Sequence, residues 1–189
     1  MAETGTLRDA FTEELRDIYD AEKQITKALP KMIKAAGAAE LRDALETHLE
    51  ETQIQIERLD QVFEAVDLRP RGIHCEGMAG IIGEGNDALK EYDGSLRDAA
   101  IIAAAQRVEH YEMAVYGTLA AWAKQLGLED AAELLATTLD EEKAADEKLN
   151  QLAEGGLNAA AAEGGESPGA ARVGRQDRSA AANRAPKRR

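Results

Sequence analysis

Apolar residues recur along most of this chain at the three- and four-residue spacing of an α-helix, and the breaks in that rhythm mark four long segments and one short one. Leu7, Phe11, Leu15, Ile18, Ile25 and Leu29 make one face of a first helix, which Thr6 can cap and which runs towards Gly37, with a kink predicted at Pro30. Leu41, Leu45, Leu49, Ile56, Leu59 and Phe63 make the second, from Ala39 to about Val66. The third, from Ser95 to Gly127, carries Ile101, Ala105, Val108, Val115 and Leu119, and the spacing of Ser95 to Asp98 predicts a capping box. The fourth, from about Glu129 to Ala153, buries Leu134, Leu135, Leu139, Ala145, Leu149 and Leu152. Residues 67–95 are punctuated by Pro70 and repeated glycines, which leaves room for a short helix around Met78–Leu89 covering an end or side of the rest.

Acidic residues interrupt these stripes. Glu112 falls on the apolar face of the third helix and Glu109 on its edge, Glu22 follows Ile18 by one turn, and His48 and Glu51 break the second stripe. Glu141, Glu142 and Asp146 sit against the fourth. An ionised carboxylate removed from water must be paired with a cation or bound to a metal, or else take up a proton.

Comparing each residue with the one ninety positions later exposes an ungapped internal repeat, about Arg16–Val62 against Gln106–Leu152. Glu22 meets Glu112, Leu29 meets Leu119, Gly37 meets Gly127, Leu45 meets Leu135, Glu51 meets Glu141 and Leu59 meets Leu149. Two helix hairpins related by a pseudo-twofold make a four-helix bundle, and the long connection then crosses the bundle's length. Glu22 and Glu112 each precede the hairpin glycine by fifteen residues, while Glu51, Glu141 and Glu142 follow it by fourteen or fifteen. At a rise of about 1.5 Å per residue, every long helix presents a carboxylate at one depth.

Such a cluster is prohibitively repulsive unless protons or divalent cations neutralise it. Oxygen ligands with a histidine suit two ions of iron or manganese with positions open to oxygen or peroxide; structural zinc would want cysteines. The metal-ligand candidates are Glu22, His48, Glu51, Glu109, Glu112, Glu142 and Asp146. Symmetry with Glu51 favours Glu141 on the last helix and the apolar stripe favours Glu142; Glu142 is taken, with Glu141 the alternative. His110 points about a quarter-turn away from the cluster, and Tyr19 and Tyr116 lie near its depth.

A chain of 189 residues with 44% hydrophobic and 4% aromatic content suits one all-α domain and some excess. That excess is residues 155–189, rich in Ala, Gly, Ser, Pro and Arg without periodicity, and predicted disordered. From Gly165 it holds seven basic residues and two acids, so the net charge of -13 leaves the body near -18. The body should repel nucleic acid and membrane surfaces, and only the basic tail suits contact with nucleic acid. A polar, acidic start, the lack of any long apolar run and a single cysteine, Cys75, point to the cytoplasm.

Tyr19-Asp-Ala-Glu-Lys-Gln24, His48-Leu-Glu-Glu-Thr-Gln53, Val108-Glu-His-Tyr-Glu112, Tyr116-Gly-Thr-Leu119 and Leu139-Asp-Glu-Glu-Lys143 together resemble the YciE/YciF stress-protein branch of the ferritin-like superfamily, over about Leu7–Ala153. The resemblance implies a ferritin-like bundle over residues 1–154, commonly a homodimer, with a di-iron or di-manganese centre. The sequence departs from the Glu-x-x-His pattern of such centres, since Ile54 follows Glu51 by three while His48 precedes it by three, which predicts a site rich in carboxylate and poor in imidazole. The function expected is a stress protein oxidising Fe²⁺ or reducing oxygen or peroxide. The alternative is a non-catalytic stress protein acting through dimer surfaces and its tail.

Overall fold

The computed structural model describes residues 5–164, so the basic tail and its contacts lie outside the described residues. The elements are α1 (Leu7–Ala35), α2 (Ala39–Ala65), α3 (Glu76–Glu91), α4 (Gly94–Gln125), α5 (Glu129–Leu152), one π-helical turn (Ala153–Leu157) and α6 (Asn158–Gly164). The four long helices and the short crossover helix match the bundle predicted from periodicity. Pro30 sits inside α1 without ending it. Thr6 caps α1 in a reciprocal box with Asp9, satisfying two backbone donors that a helix start leaves orphaned.

Contacts fix the direction of each helix. Asp98, early in α4, meets Gly37 beyond the end of α1, and Tyr116 near the end of α4 meets Glu22 in mid-α1, so these two are antiparallel. Arg58 of α2 meets Thr138 of α5 while Gln55, earlier on α2, meets Glu141, later on α5, so those two are antiparallel as well, with α1–α2 and α4–α5 as the hairpins. It follows that α2 and α4 run the same way, and residues 66–93 must traverse the bundle between them. Ile73 N–H donates to Arg16 O as this connection passes α1, and α3 then packs on α1 and α4. The core between the helices is built on Phe11, Leu15, Ile18, Phe63, Ile101 and Leu119, each at most 1% exposed. Truncating one of these leucines to alanine costs about 2–5 kcal/mol in a well-packed interior.

The two hairpin turns are not equivalent despite the repeat. Gly127 closes α4 in the left-handed region at φ 72°, a conformation that disfavours any side chain. The α1–α2 turn instead uses a side chain from across the bundle: Asp98 accepts the Gly37 N–H at 2.7 Å and the Ala38 N–H at 2.9 Å. Asp98 therefore does not pair with Ser95 in a capping box, as its spacing predicts. The long-range use satisfies two backbone donors at the start of α2, and Ser95 donates to Ala160 O of α6 instead. The chain also stays helical past Gly155, where the sequence predicts disorder: Gly156 absorbs a sharp bend at φ 138° and α6 folds back on α4.

Replacing Asp98 with alanine takes the carboxylate acceptor away from two backbone N–H groups at a partly buried turn, so thermal unfolding should show a loss of roughly 1–3 kcal/mol. An unchanged melting temperature would mean that the α1–α2 turn holds itself.

Candidate metal centre

The three-residue spacing of Glu109 and Glu112 puts both on the face of α4 that looks into the bundle, where they are 1% and 0% exposed. Glu142 of α5 and Glu22 of α1 are each 0% exposed, and α2 brings His48 at 7%. His48, Glu109, Glu112 and Glu142 each supply one ligand-type atom such that all four atoms lie within 4.8 Å of one another. Glu22 stands beside them: its Oε1 accepts the Tyr116 hydroxyl, while its Oε2 has no hydrogen-bond partner. The inward carboxylate of α5 is thus Glu142, and the stripe argument prevailed over the symmetry argument.

Burial pushes Glu22, Glu109 and Glu112 well above the ordinary carboxylate range, and the charges of their neighbours in the cluster push further. Glu142 is pushed up to about 7, again by burial first. His48 goes the other way, lowered to about 4 by loss of solvent, so at neutral pH it is the uncharged imidazole that metals bind. Its Nε2 lies 3.5 Å from Glu109 Oε1, too long for a strong bond. One oxygen each of Glu22 and Glu109, both oxygens of Glu112 and Glu142, and both nitrogens of His48 are buried with no hydrogen-bond partner. Buried polar atoms are rarely left this way, and here they converge.

The remaining candidates take other positions. Glu51 is half-buried beside the cluster, its carboxyl raised by burial and by Glu141. Asp146 accepts from Gln106 at 3.4 Å and lies 3.4 Å from the Nε2 of the exposed His110. Glu141 is held by Arg58 in a two-pronged pair at 2.6 and 2.7 Å, with Gln55 Nε2 at 3.2 Å. Tyr19 donates to Asp60 and packs edge-on to Phe63, away from the cluster, whereas Tyr116 orients Glu22. Sequence reasoning missed the Arg58 clamp. The three-residue spacing that places Arg58 one turn beyond the inward-facing Gln55 of α2 is its only local signal.

Residues 6–162 match the family described as a domain of unknown function (DUF892). The chain belongs to that family. Within it, protein YciF of Escherichia coli (strain K12) is 50% identical over 155 residues, 81% of this chain and 93% of its own length. The crystal structure of the E. coli stress protein YciF matches with a TM-score of 0.79 at 49% identity, over 82% of this chain and 99% of that one. YcfI from Rhodopseudomonas palustris, described as a candidate structural protein, matches with a TM-score of 0.76 at 53% identity over 79% and 96%. The DUF892 assignment agrees with the YciE/YciF resemblance carried by the tyrosine, histidine and glutamate segments. No helix among the described residues is long and apolar enough to cross a membrane.

In this DUF892 chain the cluster makes stability depend on pH. A carboxyl whose folded pKa is raised holds its proton more tightly folded than unfolded, so its contribution is present at low pH and is lost as pH rises from the unfolded to the folded value. His48 acts oppositely, between about 4 and its ordinary 6.5, and is silent above that. The metal-free protein should therefore lose melting temperature as pH rises from about 5 towards 7, where four raised carboxyls outweigh the single opposing histidine, with Glu142→Gln flattening the slope and saturating Mn²⁺ abolishing it. A melting temperature that is level or climbs across this window contradicts the raised carboxyls.

Proposed function

We propose that this protein is a stress-response protein whose interior holds a di-iron or di-manganese centre and handles Fe²⁺, oxygen or peroxide, as a cytoplasmic homodimer. The observation that carries this reading is the set of converging buried oxygens and imidazole nitrogens without hydrogen-bond partners, a donor set that fits hard divalent ions. Glu109, Glu112, Glu142 and His48 would hold the metal, with Glu22 completing the carboxylate shell from α1. Two such ions there would supply one-electron redox steps and a Lewis acid for oxygen or peroxide.

The protein's own part is to position ligands and manage protons. The Tyr116 hydroxyl fixes one oxygen of Glu22 and leaves the other free for a cation. Arg58 clamps Glu141 at the side of the cluster, which keeps the neighbouring carboxylate of α5 from competing with Glu142. Carboxyls held protonated in the metal-free state release those protons as divalent ions bind, so uptake should acidify an unbuffered solution. The apolar residues around the cluster exclude bulk water and strengthen every charge interaction inside it.

Stopped-flow mixing of Fe²⁺-loaded protein with oxygen or hydrogen peroxide tests the reading. Glu112→Gln should slow iron oxidation by about 10–100-fold or more, while His110→Ala, on the outer face, leaves it unchanged. Wild-type protein that oxidises Fe²⁺ no faster than buffer would turn the assignment towards the non-catalytic role suggested by the description of YcfI.

A further inference from the structure

The pseudo-twofold between the hairpins passes through the seam where α2 packs on α5, and it divides that seam into two halves that should look alike. One half is sealed. Arg58 Nη1 bonds Thr138 Oγ1 at 2.7 Å and Glu141 at 2.6 Å, and Gln55 closes the remaining gap onto Glu141. Moving ninety positions along the repeat turns these four residues into Lys148, His48, Glu51 and Ala145. All four line a cavity of about 260 Å³ in the other half of the seam. There Ala145 stands where the repeat has Gln55, so nothing bridges the gap, and Lys148 at the exposed rim makes no ion pair with Glu51. The same two-helix seam is closed at one end and open at the other because of two residue choices on α5.

The open half leads to the cluster. Its walls are Leu45, Leu149 and alanine side chains, and its floor is Glu109 together with His48, whose two ring nitrogens have no hydrogen-bond partner although the residue is only 7% exposed. The volume exceeds the roughly 150 Å³ that admits benzene to an engineered protein cavity. Lys148 stands out at the exposed rim, whereas deeper in the cavity Glu51 and the apolar walls disfavour an anion, while an uncharged molecule with an O–H group can donate to Glu109 Oε2 or His48 and lay its carbon chain on those walls.

We propose that this half-seam, between Leu45–Glu51 of α2 and Ala144–Leu149 of α5, is a binding channel for small uncharged O–H-bearing molecules such as peroxides and short alcohols, and that Gln55 and Arg58 seal its twin. The channel rests on the site proposed above for its chemical purpose, but its existence is a property of the metal-free chain. Diethylpyrocarbonate, a small neutral reagent for unprotonated imidazole, reads it directly when the full chain is treated with chelator and the histidine peptides are followed by mass spectrometry. The exposed His74 and His110 serve as internal references. His48 should be modified in wild-type protein, and Ala145→Gln with Lys148→Arg, which copies the sealed half, should slow that reaction roughly tenfold or more while the references keep their rates. In wild-type protein 1-butanol should protect His48 and butyrate, its anionic counterpart, should not, a comparison that needs no variant to fold. A His48 that never reacts, one that reacts equally in the double variant, or one that butanol does not protect or butyrate protects equally well overturns the channel. Because no metal is present, these outcomes leave Fe²⁺ oxidation to be judged separately.

Discussion

Mutual repulsion among acidic groups buried at one depth is the constraint on which the rest of this structure turns. Glu22, Glu109, Glu112 and Glu142 come from three helices and are each at most 1% exposed, in an interior where a lone charge costs several kcal/mol even after relaxation. A stable bundle ordinarily has leucine at such positions, and the repeat does so two turns further along each helix, at Leu29 and Leu119. The fold tolerates the cluster because the apolar layers above and below it, from Phe11 and Leu15 to Leu41 and Leu135, are fully packed. The acids thus cost the fold stability that leucine at the same positions would supply.

The second theme is broken symmetry. An ungapped repeat supplies matched helices, and matched helices bring Glu22 and Glu112 to the same depth. Everything that distinguishes the site comes from where the halves diverge. His48 stands against Thr138, so imidazole enters from one side only, and Ala145 stands against Gln55, so one flank is sealed and the other open. Glu141 is neutralised by Arg58, while its repeat mate Glu51 stays half-buried at the cavity. Asp98 holds the first hairpin turn, whereas Gly127 holds the second with its own backbone.

Much of this was legible before any coordinates. Long stripes of Leu, Ile and Phe at helical spacing gave the elements to within a few residues, and hairpin glycines at equal distances from the acids gave the depth of the site. Choosing between Glu141 and Glu142 was also within reach, since only Glu142 continues the Leu135–Thr138–Ala145–Leu149 face. What stayed hidden were partners across the bundle. No local pattern tells that Asp98 serves Gly37, that Arg58 reaches Glu141, or that α6 folds back beyond Gly155, because each depends on a contact with a distant segment rather than on spacing. Asp146 shows the same limit from the other side: its spacing to Glu142 points inward, but Gln106 and His110 draw it to the margin.

The most direct measurement is the metal content of the purified chain and its place in a crystal, by elemental analysis and anomalous scattering from protein grown with defined iron or manganese. About two ions per chain, lying among Glu22, His48, Glu109, Glu112 and Glu142, is the result this account requires. Protein that carries no bound ion and shows those carboxyls protonated and paired with each other would contradict it.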